Sequence, residues 1–441
     1  MQLIKFGGAA LKNIDGFNSL ISAIRKNESD KLVLVISAFS HTTRHLIDSA
    51  NSSEKGSLDF AKKKVSGIIS EYRNFGRQLI KSSKRLETLE SILGRGEDTL
   101  QQIMKGISIT QELTPRTLDY VMSFGEFYAA KTVEQILLEY NFSAKFIDAA
   151  DVIVTDNNYG RARPVFSKTD ENVYSILRPE IKKNDITIIQ GFAARGTNGE
   201  ITTMGIESSN LTAALLADLL KIKQLTLFTD VEGIRSADPE IVQNTKLIGE
   251  LNYPDAMKLS QAGLKLIYPA MIDRAEKAGI ELIYKSAYSE GPDFTRVKSD
   301  PKPVSHPIIL LNRNLKLVRA DFKSAEKSEE FRYKYFHLLS TKDIPLLRFD
   351  GASLMLLAGK YFKVPQTVSN LAEIEIVDEV SQINIFCPEN MPPAMIHEKI
   401  SGAVNLPETL NYNTDKMFIS MLVYSHKAEF IYRKLHELLI A

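Results

Sequence analysis

Apolar positions along the chain follow two rhythms. Leu32-Val33-Leu34-Val35-Ile36 is a continuous β-rich run with no polar face, as expected of a strand covered on both sides. Leu3–Phe6, Ile186–Ile189, Leu225–Phe228 and Leu282–Tyr284 read as further strands. Helix-like stretches lie between them: one running to Ile24, one from Tyr120 to Tyr140, and one from Asn210 to Leu220 that is apolar nearly all round and therefore buried. Asp255 to Gly279 is mostly helical, interrupted near Tyr268-Pro269. Strand, helix and strand at this spacing predict parallel βαβ units.

From about Glu54 to Ile109 the rhythm becomes purely helical. Leu58, Ala61, Val65, Ile68, Tyr72, Phe75 and Leu79 recur at spacings of three and four, and so do later leucines and isoleucines, around an irregular patch at Gly94-Arg95-Gly96. This predicts a helical hairpin inserted over about 54–118. Pro292, Pro301, Pro303 and Pro307, separated by Lys, Ser and Asp, read as a linker. Beyond it come strand Leu315–Asp321, helix Glu329–Leu339, and strands near Pro345–Phe349 and Ser353–Leu357. A looser copy follows, with strands Gln382–Phe386 and Lys416–Val423 and helices Pro393–Val404 and Lys427–Leu439. The expected division is a large α/β domain over 1–298 and two small α+β units over 299–441.

Composition narrows the function. Among 441 residues, Lys plus Arg exceeds Asp plus Glu by only one, so the basic excess of a nucleic-acid binder is absent. Cys387 is the single cysteine, which excludes an intrachain disulfide and a cysteine-based zinc cluster. No HExxH occurs, so no metal-ligating residues are assigned; His41 and His45 share a helical spacing without a visible third ligand. The N-terminus lacks a basic segment and a long apolar segment, so no signal peptide is expected, and no run reaches the roughly 18 apolar residues of a membrane span. A cytoplasmic protein without membrane or nucleic-acid partners is expected.

Four segments at strand ends carry candidate chemistry, at the edge where open parallel sheets bind ligands. Lys5-Phe6-Gly7-Gly8 sets two glycines between strand and helix, where backbone amides can converge on an anion and a lysine can neutralise a phosphoryl group. A tight turn with an exposed lysine is the alternative. GxxxxGK[ST] and GxGxxG are both absent, which argues against a Walker-type loop and against a dinucleotide-dependent oxidoreductase. Ser37 to Thr43 offers hydroxyls that suit either an anion or a helix cap. Gln190-Gly191-Phe192 and Thr202 to Asn210 run from a strand through a polar loop into the apolar helix, with Ser209 or Asn210 as N-cap. Thr229-Asp230 with Gly233 and Asp238-Pro239 suits a nucleotide's base, ribose and magnesium, or is simply a loop of turn residues.

Taken together these segments resemble the aspartate kinases of the amino acid kinase family. Lys5-Phe-Gly-Gly8 resembles KFGGTS, Ser37–Thr43 resembles SAxxGVTN, and Ser123-Phe-Gly-Glu126 resembles SxGE. Thr202 through Ala214 resembles the stretch ending GRGGSDxTAA, Thr229–Ile234 and Ala237–Pro239 resemble TDVDGVYTADPR, and Ala262–Lys265 with Tyr268-Pro269 resembles FGAKVLHP. The resemblance implies a three-layer α/β sandwich with a mainly parallel sheet, followed by paired ferredoxin-like ACT domains. It implies ATP with Mg2+, aspartate as acceptor, an amino acid effector at the ACT domains, and a homodimer or higher assembly. Residue by residue it implies Lys5 as catalytic. It implies Lys5, Gly7, Gly8, Thr229, Asp230, Asp238 and Lys265 at the nucleotide, and Thr43, Glu126, Ser209 and Asn210 at the acceptor. Ala9-Ala10 replace Thr-Ser, His41 and Arg44 replace the Gly and Asn of GVTN, and Arg235 and Glu240 stand in place of Tyr and Arg. Ile206 stands where the family arginine holds the acceptor α-carboxylate, and Asn210 replaces the aspartate near its amine. The departures leave two other readings open: a non-catalytic paralogue that binds nucleotide or effector, and a kinase for another carboxylate or carbamate.

Overall fold

In the computed structural model, which describes residues 1–26, 31–289, 291–334, 346–349, 352–359, 364, 369–401 and 410–440, the buried apolar runs become neighbours in one sheet. By its internal contacts the chain divides into two units. The first holds Met1–Ile234, Leu247–Ser260 and Lys265–Lys302; the second holds Arg235–Lys246, Gln261–Leu264 and Pro303–Ala441. Two short pieces of the first 300 residues thus fold with the C-terminal region, which no linker pattern announces.

The elements up to the end of the first helical half are β1 (Gln2–Phe6), α1 (Ile14–Arg25), β2 (Leu32–Ile36), α2 (Thr42–Glu54), α3 (Leu58–Leu79), α4 (Ser83–Thr110) and α5 (Pro115–Glu139). Then come β3 (Ala144–Ile147), α6 (Ala149–Val152), β4 (Val154–Thr155), α7 (Phe166–Asn172), α8 (Arg178–Lys183), β5 (Ile186–Gln190), β6 (Ala193–Gly196), β7 (Ile201–Thr203) and α9 (Ser209–Leu219). They are followed by β8 (Gln224–Thr229), β9 (Ile234–Arg235), β10 (Leu247–Ile248), β11 (Glu250–Leu251), α10 (Tyr253–Gln261), α11 (Pro269–Ala278), β12 (Glu281–Ser286) and β13 (Phe294–Val297).

The main sheet has the order β11-β13-β12-β8-β1-β2-β5-β3. Every pairing from β12 to β3 is parallel, while β12 and β13 pair antiparallel. Alternation along β1 sorts its side chains: Ile4 and Phe6 join the core built with α1 and α5, and Leu3 and Lys5 face the opposite side. The chain leaves β1 toward β2 and β5 on one side, and returns through β8 to β12 on the other. The crevice at the C-terminal ends of β1, β2 and β8 is therefore a topological switch point, where such sheets bind ligands. Each strand of β2 type, buried along its whole length, contributes about 1.5–3 kcal/mol per large apolar side chain.

The inserted helices form as the spacing requires, with Ala61, Val65, Ile68, Tyr72 and Leu79 of α3 buried against α4 and α5. The expected irregularity at Gly94–Gly96 does not occur: α4 is unbroken from Ser83 to Thr110. Gly96 is there because the Tyr128 ring of α5 lies where a Cβ would stand, a packing reason rather than a break. The helix expected over Asp255–Gly279 is two helices, divided as foreseen before Pro269. Among the described residues no helix is long and apolar enough to cross a membrane.

The second unit contains β14 (Ile308–Phe322), α12 (Ala325–Lys334), β15 (Leu346–Phe349), β16 (Ser353–Gly359), β17 (Ala372–Phe386), α13 (Pro393–Ser401), β18 (Asn411–Thr414), β19 (Phe418–Tyr424) and α14 (Ser425–Leu439). They form one antiparallel sheet in the order β15-β16-β14-β17-β19-β18. The two ferredoxin-like copies share this sheet because β14 and β17, each 15 residues long, pair along their length. Each copy keeps its own core, one around Ile309, Ile383 and Leu435 and one around Val318, Phe331 and Leu356. The expected helices Glu329–Leu339 and Pro393–Val404 run beyond the described residues at 335–339 and 402–404. Before the strand beginning at Ser353, residues 344, 345, 350 and 351 lie outside the described residues.

Candidate functional site

Lys5 ends β1 on the face opposite the α1–α5 core, and only 9% of it is exposed. Its ammonium curls back to within 3.3 Å of the position that a Cβ on Gly7 would take. Burial lowers its pKa to about 8, against the opposing pull of Glu207 and Glu126. Gly8 is required because a Cβ there would collide with the Ala38 carbonyl, so the loops after β1 and β2 cross backbone to backbone. The Gly7 amide donates to the Phe228 carbonyl at 3.0 Å, tying this loop to the end of β8. The loop then closes in a single 3-10 turn, Ala9–Leu11.

Glu126 lies one helical residue beyond Gly125, and Gly125 brings α5 against Ala38 and Thr42, each within 3.2 Å of the site of a Cβ. Tyr72 from the inserted hairpin locks that contact: its hydroxyl donates to the Gly125 carbonyl at 3.0 Å and lies 3.3 Å from Thr42 Oγ1. Thr43 is half-buried in the first turn of α2, following His41 in a left-handed conformation with φ 65°. Glu126 is 4% exposed, and its Oε2 has no hydrogen-bond partner among the described residues. Burial raises its pKa to about 8, opposed by the Ala38 backbone and by Lys5. The folded state therefore holds this proton more tightly than the unfolded chain, and stability is lost as pH rises from about 4.5 through about 8. Glu126→Gln removes that penalty. The variant's melting temperature should match wild type at pH 5 and exceed it at pH 8.5, by about 2–4 °C per kcal/mol relieved. A difference independent of pH, read by scanning calorimetry, would refute the assignment.

The loop between β7 and α9 forms the third wall. Asp119, fully buried near the start of α5, accepts from the amides of Thr203 (2.8 Å) and Gly160 (2.9 Å) and from Thr203 Oγ1 (2.7 Å). It fixes the strand that delivers this loop, and nothing in the sequence announces a partnership across 84 positions. Asp119→Ala leaves those buried donors unpaired at about 1–3 kcal/mol each. Urea denaturation should show a loss of that order, and an unchanged midpoint would refute the role.

Within the loop, Gly205 (φ 97°) and Glu207 (φ 70°) take left-handed conformations. The N-cap of α9 is Ser208, not Ser209 or Asn210 as the sequence suggested, and it makes no capping hydrogen bond. Its hydroxyl is fully buried and has no hydrogen-bond partner among the described residues. Ser209 is buried where Gly191 packs on it, and Asn210 is half-buried with its amide donating to the Glu207 carbonyl at 3.2 Å. Ile206 is 64% exposed. Glu207 stands where the family pattern has glycine; it is exposed, and the desolvation of its carboxylate by the surrounding loop raises its pKa above the usual carboxylate range against the opposing charges of Lys5 and Lys265.

At the end of β8, Thr229 Oγ1 donates to Asp230 Oδ1 at 3.2 Å, and Lys12 pairs with Asp230 Oδ2 at 3.6 Å. Lys12 also stands 5.1 Å from the Tyr288 ring centroid. Neither motif nor spacing marked Lys12, which follows the Gly-Gly turn by four residues. Lys265 is exposed. Lys5, Gly7, Gly8, Glu126, Thr229, Asp230 and Lys265 thus belong to one unit, with Lys5 electrostatically coupled to Glu126 and Glu207. Asp238 belongs to the other unit, where its amide donates to the Tyr432 hydroxyl at 2.7 Å and Tyr432 donates to the Ile309 carbonyl at 2.8 Å. His41 and His45 have ring centroids 6.3 Å apart, and no group of three possible metal ligands occurs among the described residues.

Residues 1–285 match the model of the amino acid kinase family. The chain is similar to aspartokinase 2, chloroplastic, of Arabidopsis thaliana, at 24% identity over 98% of this chain and 83% of that protein. It spans 35% of a longer bifunctional aspartokinase/homoserine dehydrogenase of Buchnera aphidicola, at 25% identity. Its fold is that of E. coli aspartokinase III crystallised with aspartate and ADP, with TM-score 0.81 at 20% identity over 100% of both chains. The form of that enzyme with lysine and aspartate gives TM-score 0.72 at 21% identity, again over 100% of both chains. With residues 1–285 matched, well over half of its length, the chain belongs to the amino acid kinase family.

Proposed function

We propose that this protein transfers the γ-phosphoryl group of ATP to the side-chain carboxylate of L-aspartate, giving 4-phospho-L-aspartate. The observation that carries the reading is Lys5, a buried ammonium folded over the glycine turn at the switch point of the sheet. The similar aspartokinases support aspartate as acceptor.

One oxygen of the acceptor carboxylate bonds to the γ-phosphorus as its bond to the β–γ bridging oxygen breaks, and ADP leaves with that electron pair. The acceptor is ionised at neutral pH, so no base is needed, and the protein's task is positioning and charge neutralisation. Lys5 meets the transferring phosphoryl group. Its lowered pKa still leaves it mostly protonated at pH 7, and an arriving phosphate raises that fraction. Gly7 and Gly8 keep the loop clear of side chains at the phosphates, and Thr229, Asp230 and Lys265 flank the nucleotide. Thr43, Glu126, Ser209 and Asn210 surround the acceptor. The donor set suits Mg2+ carried by nucleotide phosphates with one protein carboxylate, Asp230, rather than a protein cage. When bound, Mg2+ neutralises phosphate charge.

The reaction belongs to the cytoplasm and to the first step of aspartate-derived amino acid synthesis. The second unit serves as the effector domain, and the lysine complex of the E. coli enzyme supports an amino acid effector there. Pairing of its sheet with that of a second copy gives a homodimer, to be read by light scattering. The decisive assay traps the acyl phosphate as a hydroxamate. Aspartate-dependent product with Mg2+ and ATP is expected; its absence at millimolar aspartate would favour the non-catalytic reading.

A further inference from the structure

A second cavity of the first unit, about 570 Å³, opens between α4 and α5. None of Lys5, Gly7, Gly8, Thr43, Glu126 or Asp230 lines it. Its volume lies in the range of small-molecule pockets. Its wall is a stripe of rings along α5: Tyr120 meets Phe124 at 5.1 Å, Phe124 meets Tyr128 at 5.7 Å, and Phe127 meets Tyr128 at 5.2 Å, by ring centroids. Tyr120 is 42% exposed, and Phe124 and Phe127 are half-buried, so the stripe is only partly covered by the protein itself.

The charges around this wall are unequal in their engagement. Asp148 is engaged through Oδ1, which accepts from the Gln190 side chain at 2.6 Å and from the Ala150 amide at 2.9 Å. Lys131 pairs with Glu134 at 3.2 Å and stands over the Phe146 ring. Arg95, exposed on α4, donates only to the Ser91 carbonyl of its own helix and has no carboxylate partner among the described residues. The cavity therefore joins an aromatic wall to one uncommitted guanidinium, the residue type best suited to holding a carboxylate in a fork.

We propose that the cavity between α4 and α5 binds a small carboxylate with an aromatic or branched apolar body. The body lies against Tyr120, Phe124 and Phe127, and its carboxylate meets Arg95. The site is separate from the phosphoryl-transfer centre and its occupancy needs no turnover. Because Ser123 lines it on α5, the helix that carries Glu126, and Gln190 lines it at the end of β5 just before Gly191, the ligand bears on the acceptor wall.

The probes are L-phenylalanine, phenylacetate and phenethylamine, titrated calorimetrically into the full-length protein with and without saturating aspartate and ADP. Phenylalanine and phenylacetate should bind, and phenethylamine, which lacks the carboxylate, should bind at least tenfold more weakly. Arg95→Glu should weaken phenylacetate binding at least tenfold without changing hydroxamate production, and Arg95→Lys should retain part of it. The chain has no tryptophan, so Tyr120→Trp adds a single indole whose emission should shift on binding. Absence of binding by either carboxylate, binding indifferent to Arg95→Glu, or displacement by aspartate would each overturn the proposal. A failed hydroxamate assay alongside intact binding would touch only the proposed reaction.

Discussion

Lys5→Ala should lower kcat for aspartate phosphorylation roughly a hundred- to a thousandfold, the usual cost of removing one preorganised group from developing charge. The substitution leaves the β1 ladder intact, because Lys5 pairs with Val35 and Leu227 through its backbone. ADP affinity should fall far less than kcat, since a lysine that serves the transferring group contributes mainly in the transition state. Arginine should rescue poorly: its planar fork is larger than the ammonium that fits over Gly7, in a position only 9% exposed. Hydroxamate formation and ADP titration on the same preparation separate the two effects. A kcat within tenfold of wild type would remove Lys5 from the reaction.

Ile206→Arg combined with Asn210→Asp should lower the KM for aspartate at least tenfold. The family resemblance implies an arginine and an aspartate at these two positions, on the acceptor's α-carboxylate and near its amine, and a hydrogen bond to a charged group contributes roughly 1.5–3 kcal/mol, about tenfold or more. Ile206 is 64% exposed, so the larger side chain displaces no packing, and Asn210→Asp is nearly isosteric. The KM for ATP should stay constant, because neither residue lies at the β1 or β8 loops. Glu207 adjoins the new arginine and competes for it, so Ile206→Arg with Glu207→Gly should gain more than Ile206→Arg alone. An unchanged KM for aspartate in every combination would mean that this loop does not face the acceptor's backbone groups.

The parallel strands were legible because burial on both faces imposes uninterrupted apolar runs, as in Leu32–Ile36. The helical hairpin was legible because its stripe repeats at helical spacing. The short pieces between Ala144 and Lys183 were not, since β4 of two residues and α6 of four carry too few positions to show a period. Gly94 and Gly96 misled for a different reason: a glycine chosen to admit the Tyr128 ring reads like a helix break. At the site, Lys5, Gly7, Gly8, Glu126 and Asp230 stood in short segments whose order along the chain is specific. Glu207 and Lys12 act through space on groups from other segments, and Asp119 supports a strand far away in sequence.

Sequence alone determined the α/β class, the family pattern and the glycine turn at the end of β1, because backbone geometry at a strand end restricts residue type locally. Tertiary structure decided the rest. It placed Lys5 over Gly7, buried Glu126 Oε2 with no hydrogen-bond partner among the described residues, and assigned Asp238 to the second unit. Charge coupling, burial and packing depend on which distant segments meet, and no local pattern of residues encodes that meeting.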